Sequence, residues 1–160
     1  MRPDEELLDL IRENATKEYV FYDKRWFDKN GNWIITFNSI VRVLRYMEIP
    51  TPKRCSPNSF TIYLPPAVQI TLQPFASAKI PTMLSFIFDQ LNVGCIAPGY
   101  ICDHKIEVLP QNIENEKLLK IEVKNRTPRA ITLPPSCRIG QLVVLSRTGT
   151  SGNVDMVFMN

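Results

Sequence analysis

The chain has 160 residues, 44% hydrophobic and 22% charged, with a net charge of +3; this suits one globular domain that needs no disulfide staples, and excludes a disordered chain. No apolar run approaches the roughly 18 to 20 residues of a membrane span, and Met1-Arg2-Pro3-Asp4-Glu5-Glu6 leads into no secretory core, so an intracellular protein of the cytoplasm or nucleus is expected. The basic residues are scattered without interleaved aromatics, the four cysteines (Cys55, Cys95, Cys102, Cys137) show no CxxC spacing, and the single His104 leaves a zinc site without partners, so neither nucleic-acid binding nor a metal centre has support.

Pro3-Asp4-Glu5-Glu6 starts a helix, with acids near the positive end of its dipole and Leu7, Leu8 and Ile11 on one face. Tyr19–Tyr22 and Trp33–Phe37 are aromatic and β-branched, and the Asn-Gly turn in Asp28-Lys29-Asn30-Gly31-Asn32 predicts a hairpin between them. A calcium loop starting at Asp28 fails, because Trp33 stands where Gly is needed and Ser39 where Glu is needed.

From Ile40 onward, short apolar runs alternate with Pro and polar turns. They are Val41–Arg45, Ser59–Leu64, Val68–Leu72, Met83–Phe88, Lys105–Leu109, Leu118–Val123 and Gln141–Leu145. Their spacing predicts an all-β sandwich or jelly roll with the prolines, Pro81 among them, confined to connections or strand ends. Thirteen prolines cut nearly every window below the length a helical core needs. There is no internal repeat.

The run Pro135-Ser136-Cys137-Arg138-Ile139-Gly140-Gln141-Leu142 is a turn, a basic residue, then a buried strand with one polar Gln. It resembles the fourth motif of the trimeric dUTPase family, Gly-Asp-Arg-Ile-Ala-Gln-Leu, at Arg138, Ile139, Gln141 and Leu142. Upstream segments follow the family order. The loop Pro50–Pro57 leads into Asn58–Tyr63, with Thr61 where the family's first motif has its acid. Val93–Asp103 resembles the second motif at Gly94, Ile96, Ala97 and Pro98, with Gly99-Tyr100-Ile101 replacing the Arg-Ser-Gly that helps hold phosphates. The resemblance covers about residues 40 to 147. It implies a dUTPase-like jelly roll or distorted β-barrel at 39–147, a helix and hairpin extension at 1–38 packed on the core, and a C-terminal tail at 148–160.

In active family members the third motif reads Gly-Val-Ile-Asp-x-x-Tyr-x-Gly, where the Asp is the base on the attacking water and the Tyr lies under the deoxyribose. Here Ile113 aligns with the family's Ile and Glu114 falls at the base, with no aromatic after it and no flanking glycines. A Glu can serve as a base, but phosphate chemistry also needs magnesium and donors that neutralise developing charge. The fifth motif's Gly-Phe-Gly is missing, echoed only by Arg147–Gly152 and Phe158.

Scaffold kept and site residues replaced resembles the degenerate dUTPase relatives that DNA viruses use as regulators, such as the adenoviral early-region members. The resemblance implies a pseudoenzyme without cofactor, binding host or viral proteins, with Arg138 and Gln141 as a nucleotide-binding remnant and a homo-oligomer that in the family is a trimer. The enzyme alternative is a divergent dUTP diphosphatase using Glu114 and magnesium; the structural alternative is an assembly unit. Tyr22, Trp26, Phe27 and Trp33, concentrated in the N-terminal extension, either pack it or form an interaction surface.

Overall fold

In the computed structural model, which describes residues 5–14, 16, 19–22, 25–32, 38–146 and 153–160, the amphipathic start of the chain forms α1 (Glu5–Glu13). Glu5 and Glu6 occupy its first turn and Arg12 its last, each sign matched to the helix dipole. Asn14 closes the helix by donating its side-chain amide to the Leu10 carbonyl at 2.9 Å. Two strands follow, β1 (Tyr19–Tyr22) and β2 (Arg25–Asp28), paired antiparallel from Tyr19 opposite Asp28 to Tyr22 opposite Arg25.

Tyr19–Tyr22 pairs with Arg25–Asp28, and the strand expected at Trp33–Phe37 lies outside the described residues. The Asn-Gly turn forms at 28–32. The Asp28 carboxylate accepts the backbone N–H groups of Asn30 and Asn32 at 2.9 Å each, folding the chain back just after β2, with Gly31 at φ 79°, as side-chain mimicry of a turn requires. Among the described residues of this first unit, Met1–Phe37, the buried apolar ones are Leu7, Val20 and Phe27.

The second unit, Asn38–Asn160, is all-β. Its six-stranded sheet runs β15–β3–β7–β12–β10–β9, with β3 (Asn38–Arg45), β7 (Ser77–Ile87), β9 (Gly99–Ile101), β10 (Ile106–Val108), β12 (Leu118–Asn125) and β15 (Asn153–Phe158). Its five-stranded sheet runs β11–β8–β14–β5–β4, with β4 (Lys53–Ser56), β5 (Ser59–Tyr63), β8 (Asn92–Ile96), β11 (Gln111–Asn112) and β14 (Arg138–Ser146). Strands β6 (Thr71–Leu72) and β13 (Ile131–Thr132) form a two-residue ribbon. Alternation drives the burial: along β12, Leu119, Ile121 and Val123 point in while Lys120, Glu122 and Lys124 point out. One core joins both sheets, with Val43, Phe86 and Ile121 from the first and Ile62, Ile96 and Leu142 from the second. The result is a jelly-roll-like sandwich.

Two sequence expectations change. Pro81 lies inside β7, not at a strand end. It is tolerated because the β7–β12 register breaks there: Pro81 pairs with Lys120 but Ser85 with Leu118. In the gap Met83 takes φ 58° and the Thr82 hydroxyl donates to the Leu119 carbonyl at 2.8 Å, a bulge of the kind where proline is allowed. The segment expected as a tail contributes β15, which runs parallel to β3 from Asn153 opposite Asn38 to Phe158 opposite Val43.

Candidate functional site

Gln141 sits on β14 directly across from Thr61 on β5, and Thr61 in turn faces Lys53 on β4. The Gln141 amide reaches the Cys55 thiol at 3.4 Å, and that thiol lies 3.1 Å from the Ser59 hydroxyl. This group is neutral apart from Lys53, and the hydroxyl of Thr61 occupies the place beside Gln141.

Arg138 is separated from Gln141 by a bulge. The β14–β5 register shifts between Arg138 and Gly140; Ile139 and Gly140 are buried in succession, and the extra residue brings Arg138, opposite Tyr63, onto the outward side that Gln141 shares with Thr61. Gly140 is held small by its neighbour, since a Cβ there would meet Ile121 Cδ1 at 3.0 Å. Arg138 also lines a cleft of about 450 Å³ with Tyr100, Cys102, Asp103, His104 and Cys137. One wall is the β9–β10 turn, where Cys102, Asp103 and His104 all have positive φ, at 54°, 54° and 63°. Lys105 N–H closes it on the Cys102 carbonyl at 3.2 Å, the mirror-image turn that fits strand twist but that normally asks for Asn or Gly. The Tyr100 and His104 rings meet at 5.8 Å. Burial pushes the Cys102 and Cys137 thiols above their ordinary values, favouring the thiol over the thiolate.

Glu114 lies elsewhere. It follows β11, the edge strand two places from β14, and lines a cleft of about 400 Å³ with Lys79, Lys117, Lys120 and Glu122. It is exposed and ion-paired with Lys117 at 2.6 Å. The hydrogen bond from Lys117, reinforced by its charge, holds the Glu114 carboxyl below its ordinary value, opposite to the upward shift that poises a carboxylate as a base near neutral pH. Its loop is fixed to the core: Phe88 N–H donates to Asn115 Oδ1 at 2.6 Å and Glu116 N–H to the Phe86 carbonyl at 2.9 Å. Among the described residues no three His, Cys, Asp or Glu side chains converge on a metal-binding arrangement.

The second-motif residues are accounted for by packing. A Cβ on Gly94 would meet Phe88 Cζ at 2.2 Å, so the ring over β8 demands glycine. Gly99, where the family has a phosphate-holding Arg, meets nothing within 4 Å and forms part of the plain strand β9. Phe158 lies on β15 beneath the Arg45 guanidinium at 4.9 Å, not over either cleft, and 147–152 lie outside the described residues. Of the N-terminal aromatics, Phe27 is 3% exposed and is a core residue, not part of a surface. Tyr22 is half-buried, meets the Phe27 ring at 6.4 Å and donates to Glu6 at 3.0 Å. Trp26 belongs to β2; its side chain, and Trp33 altogether, lie outside the described residues.

Arg54 and Asn125 carry more of the architecture than their sequence contexts suggest. Arg54 on β4 donates to the carbonyls of Pro57 at 2.9 Å and Val154 at 2.5 Å, stacks over Phe60 at 5.0 Å and pairs with Asp155 at 3.4 Å. Asn125, fully buried, donates to the carbonyls of Leu72, Gln73 and Arg129. It also accepts from the N–H and hydroxyl of Thr127.

No protein-family model matches the sequence, and no curated protein matches it either. Solved structures do match in fold. The dUTPase of Staphylococcus bacteriophage 80alpha superposes with a TM-score of 0.56 at 16% identity, covering 66% of this chain and 89% of that one. The same phage enzyme with dUPNHPP gives 0.57 at 16% identity, covering 66% and 82%. A variant dUTPase of phage phi11 of S. aureus, described for its coordination of a structural Mg(II) ion, gives 0.56 at 16% identity, covering 66% and 90%. The chain therefore has a dUTPase-like fold.

Proposed function

We propose that this protein is a dUTPase-like chain without hydrolytic activity, a protein-binding regulatory module of viral origin directed at host-cell factors in the cytoplasm or nucleus. The observation that carries the reading is the electrostatic character of the retained positions. Gln141 stands beside the Thr61 hydroxyl where the family has an acid, while Glu114 is an exposed carboxylate neutralised by Lys117. A triphosphate and its magnesium would find no carboxylate beside Gln141, and a water at Glu114 would find a base weakened by its cation. A regulatory role on this scaffold has a parallel in the phage 80alpha dUTPases, described as controlling transfer of virulence genes by a proto-oncogenic G protein-like mechanism. Within this reading Tyr22, Trp26 and Trp33 are the candidate contact residues, since aromatics are the usual interface anchors.

The test is dUTP hydrolysis with magnesium, read by pyrophosphate release, beside a Glu114→Gln control and a thermal-shift titration. No turnover and no shift are expected. Turnover that Glu114→Gln abolishes would replace this reading by a divergent dUTP diphosphatase, which the retained Arg138 and Gln141 favour.

A further inference from the structure

The loop that leads into the first motif carries a Thr-Pro step at Thr51-Pro52. Two other hydroxyl residues precede proline, Ser56 and Thr127, and the structure separates the three. Ser56 is buried; its hydroxyl lies 2.6 Å from that of Ser59 and donates to Asn58 Oδ1 at 3.1 Å. Thr127 turns its hydroxyl inward, donating to Asn125 Oδ1 at 2.8 Å and accepting the Arg129 N–H at 3.4 Å. Thr51 is exposed in irregular backbone ahead of β4, and its hydroxyl meets no partner among the described residues. The prolines on either side explain this. Neither Pro50 nor Pro52 has an N–H to give to a ladder, and a residue before proline is driven toward extended backbone, so residues 49–52 stay outside the sheet.

We propose that Thr51 is a phosphorylation site for a proline-directed Ser/Thr kinase of the host cell. An exposed hydroxyl on extended chain enters a kinase cleft without local unfolding, and the proline after it is recognised because it lacks the N–H that an apolar pocket would leave unpaired. The kinase moves the γ-phosphoryl group of magnesium-bound ATP. A bond forms from Thr51 Oγ1 to the phosphorus, the bond to the β–γ bridging oxygen breaks, the hydroxyl proton passes to the kinase's base and ADP leaves. Arg54 takes no part in recognition, because its guanidinium is committed to the carbonyls of Pro57 and Val154 and to Asp155. Lys53 is exposed and lies two residues from Thr51, at most about 7 Å along extended chain and so inside the screening length of about 8 Å at physiological salt. It is the cation that the roughly two negative charges of the phosphate meet. Lys53 faces Thr61, which faces Gln141, so the modification sets its charge at the edge of the strands that carry the retained fourth motif. The inference rests on the host-cell location in the proposed function and not on the loss of hydrolysis, so dUTP turnover and the kinase result fail separately.

The experiment incubates the folded, purified chain with a cyclin-dependent kinase, magnesium and ATP, beside Thr51→Ala, Pro52→Ala and a synthetic peptide of residues 46–55 that shows the kinase to be competent. Intact mass and peptide mapping are the readouts, with circular dichroism as the fold check. The wild type should gain one phosphoryl group, mapped to Thr51, and Thr51→Ala none. Pro52→Ala should react more slowly by about tenfold or more. Mapping on the wild type needs no variant to fold. A folded wild type that takes no phosphate while the peptide does would overturn the inference, as would phosphate placed on Ser56 or Thr127 in place of Thr51. Pro52→Ala reacting as fast as wild type would remove the proline from recognition and overturn it too.

Discussion

Replacing Gly94 by alanine isolates the reason this motif glycine is present. The added Cβ would lie 2.2 Å from Phe88 Cζ, more than 1 Å inside ordinary contact distance, and 2.8 and 2.9 Å from two more ring atoms. The ring has little room to yield. Phe88 is 8% exposed, its ring stacks on Phe86 at 6.1 Å, and its N–H is pinned by Asn115. Overpacking of this kind costs about 1 to 3 kcal/mol. In a chain of this length each kcal/mol moves the melting temperature by about 2 to 4 °C, so Gly94→Ala should melt roughly 2 to 12 °C lower. Gly99→Ala, with open space around it, should stay within about 0.5 kcal/mol of wild type. The decisive assay is a double-mutant cycle by calorimetric melting. Phe88→Leu relieves the contact, so Gly94→Ala should cost at least about 1 kcal/mol less in that background. If Gly94→Ala is as stable as wild type, or equally costly with Leu at residue 88, the packing account of the second motif is wrong.

Asn125→Ala removes five hydrogen bonds and strands the buried carbonyl of Leu72; a loss of about 2 to 4 kcal/mol is expected by denaturant unfolding, and a change below about 1 kcal/mol would show that water replaces the amide. Glu114 should titrate by carbon-detected NMR below the ordinary carboxyl value and return toward it in Lys117→Ala. Because its folded pKa is lowered, the pair's small contribution to stability is present above the unfolded value and fades as pH falls through the folded one; an unmoved titration in Lys117→Ala would remove the ion pair from the argument.

Strands with long alternation were legible from composition alone. Leu118–Val123 and Gln141–Leu145 alternate and lie in the central strands β12 and β14. Strands of two or three residues, such as β9, β11 and β13, owe their existence to partners far along the chain, and no local window encodes them. In the N-terminal unit the turn signal was legible: Asn30-Gly31 turns, with Asp28 accepting the backbone N–H groups of Asn30 and Asn32. At the site, Arg138 and Gln141 stood out as a motif, yet the bulge that brings them onto one face of the sheet leaves no mark in sequence. Arg54 stood out least, lying in a proline-rich loop, although it fastens the last strand.

That last strand has a consequence for how the protein is made. Strand β15 pairs with β3, the first strand of its unit, and Asn160 bonds the backbone N–H of Arg45 across 115 positions of chain. During synthesis the six-stranded sheet therefore carries an unpaired edge at β3 until residues 153–158 emerge, while every other strand is already available. Non-local closure of this kind is slow, and an open edge in the interval is a template for pairing with a neighbouring nascent chain. The Arg54 clamp, reaching from the opposite sheet to Val154, acts as the latch that ends that interval.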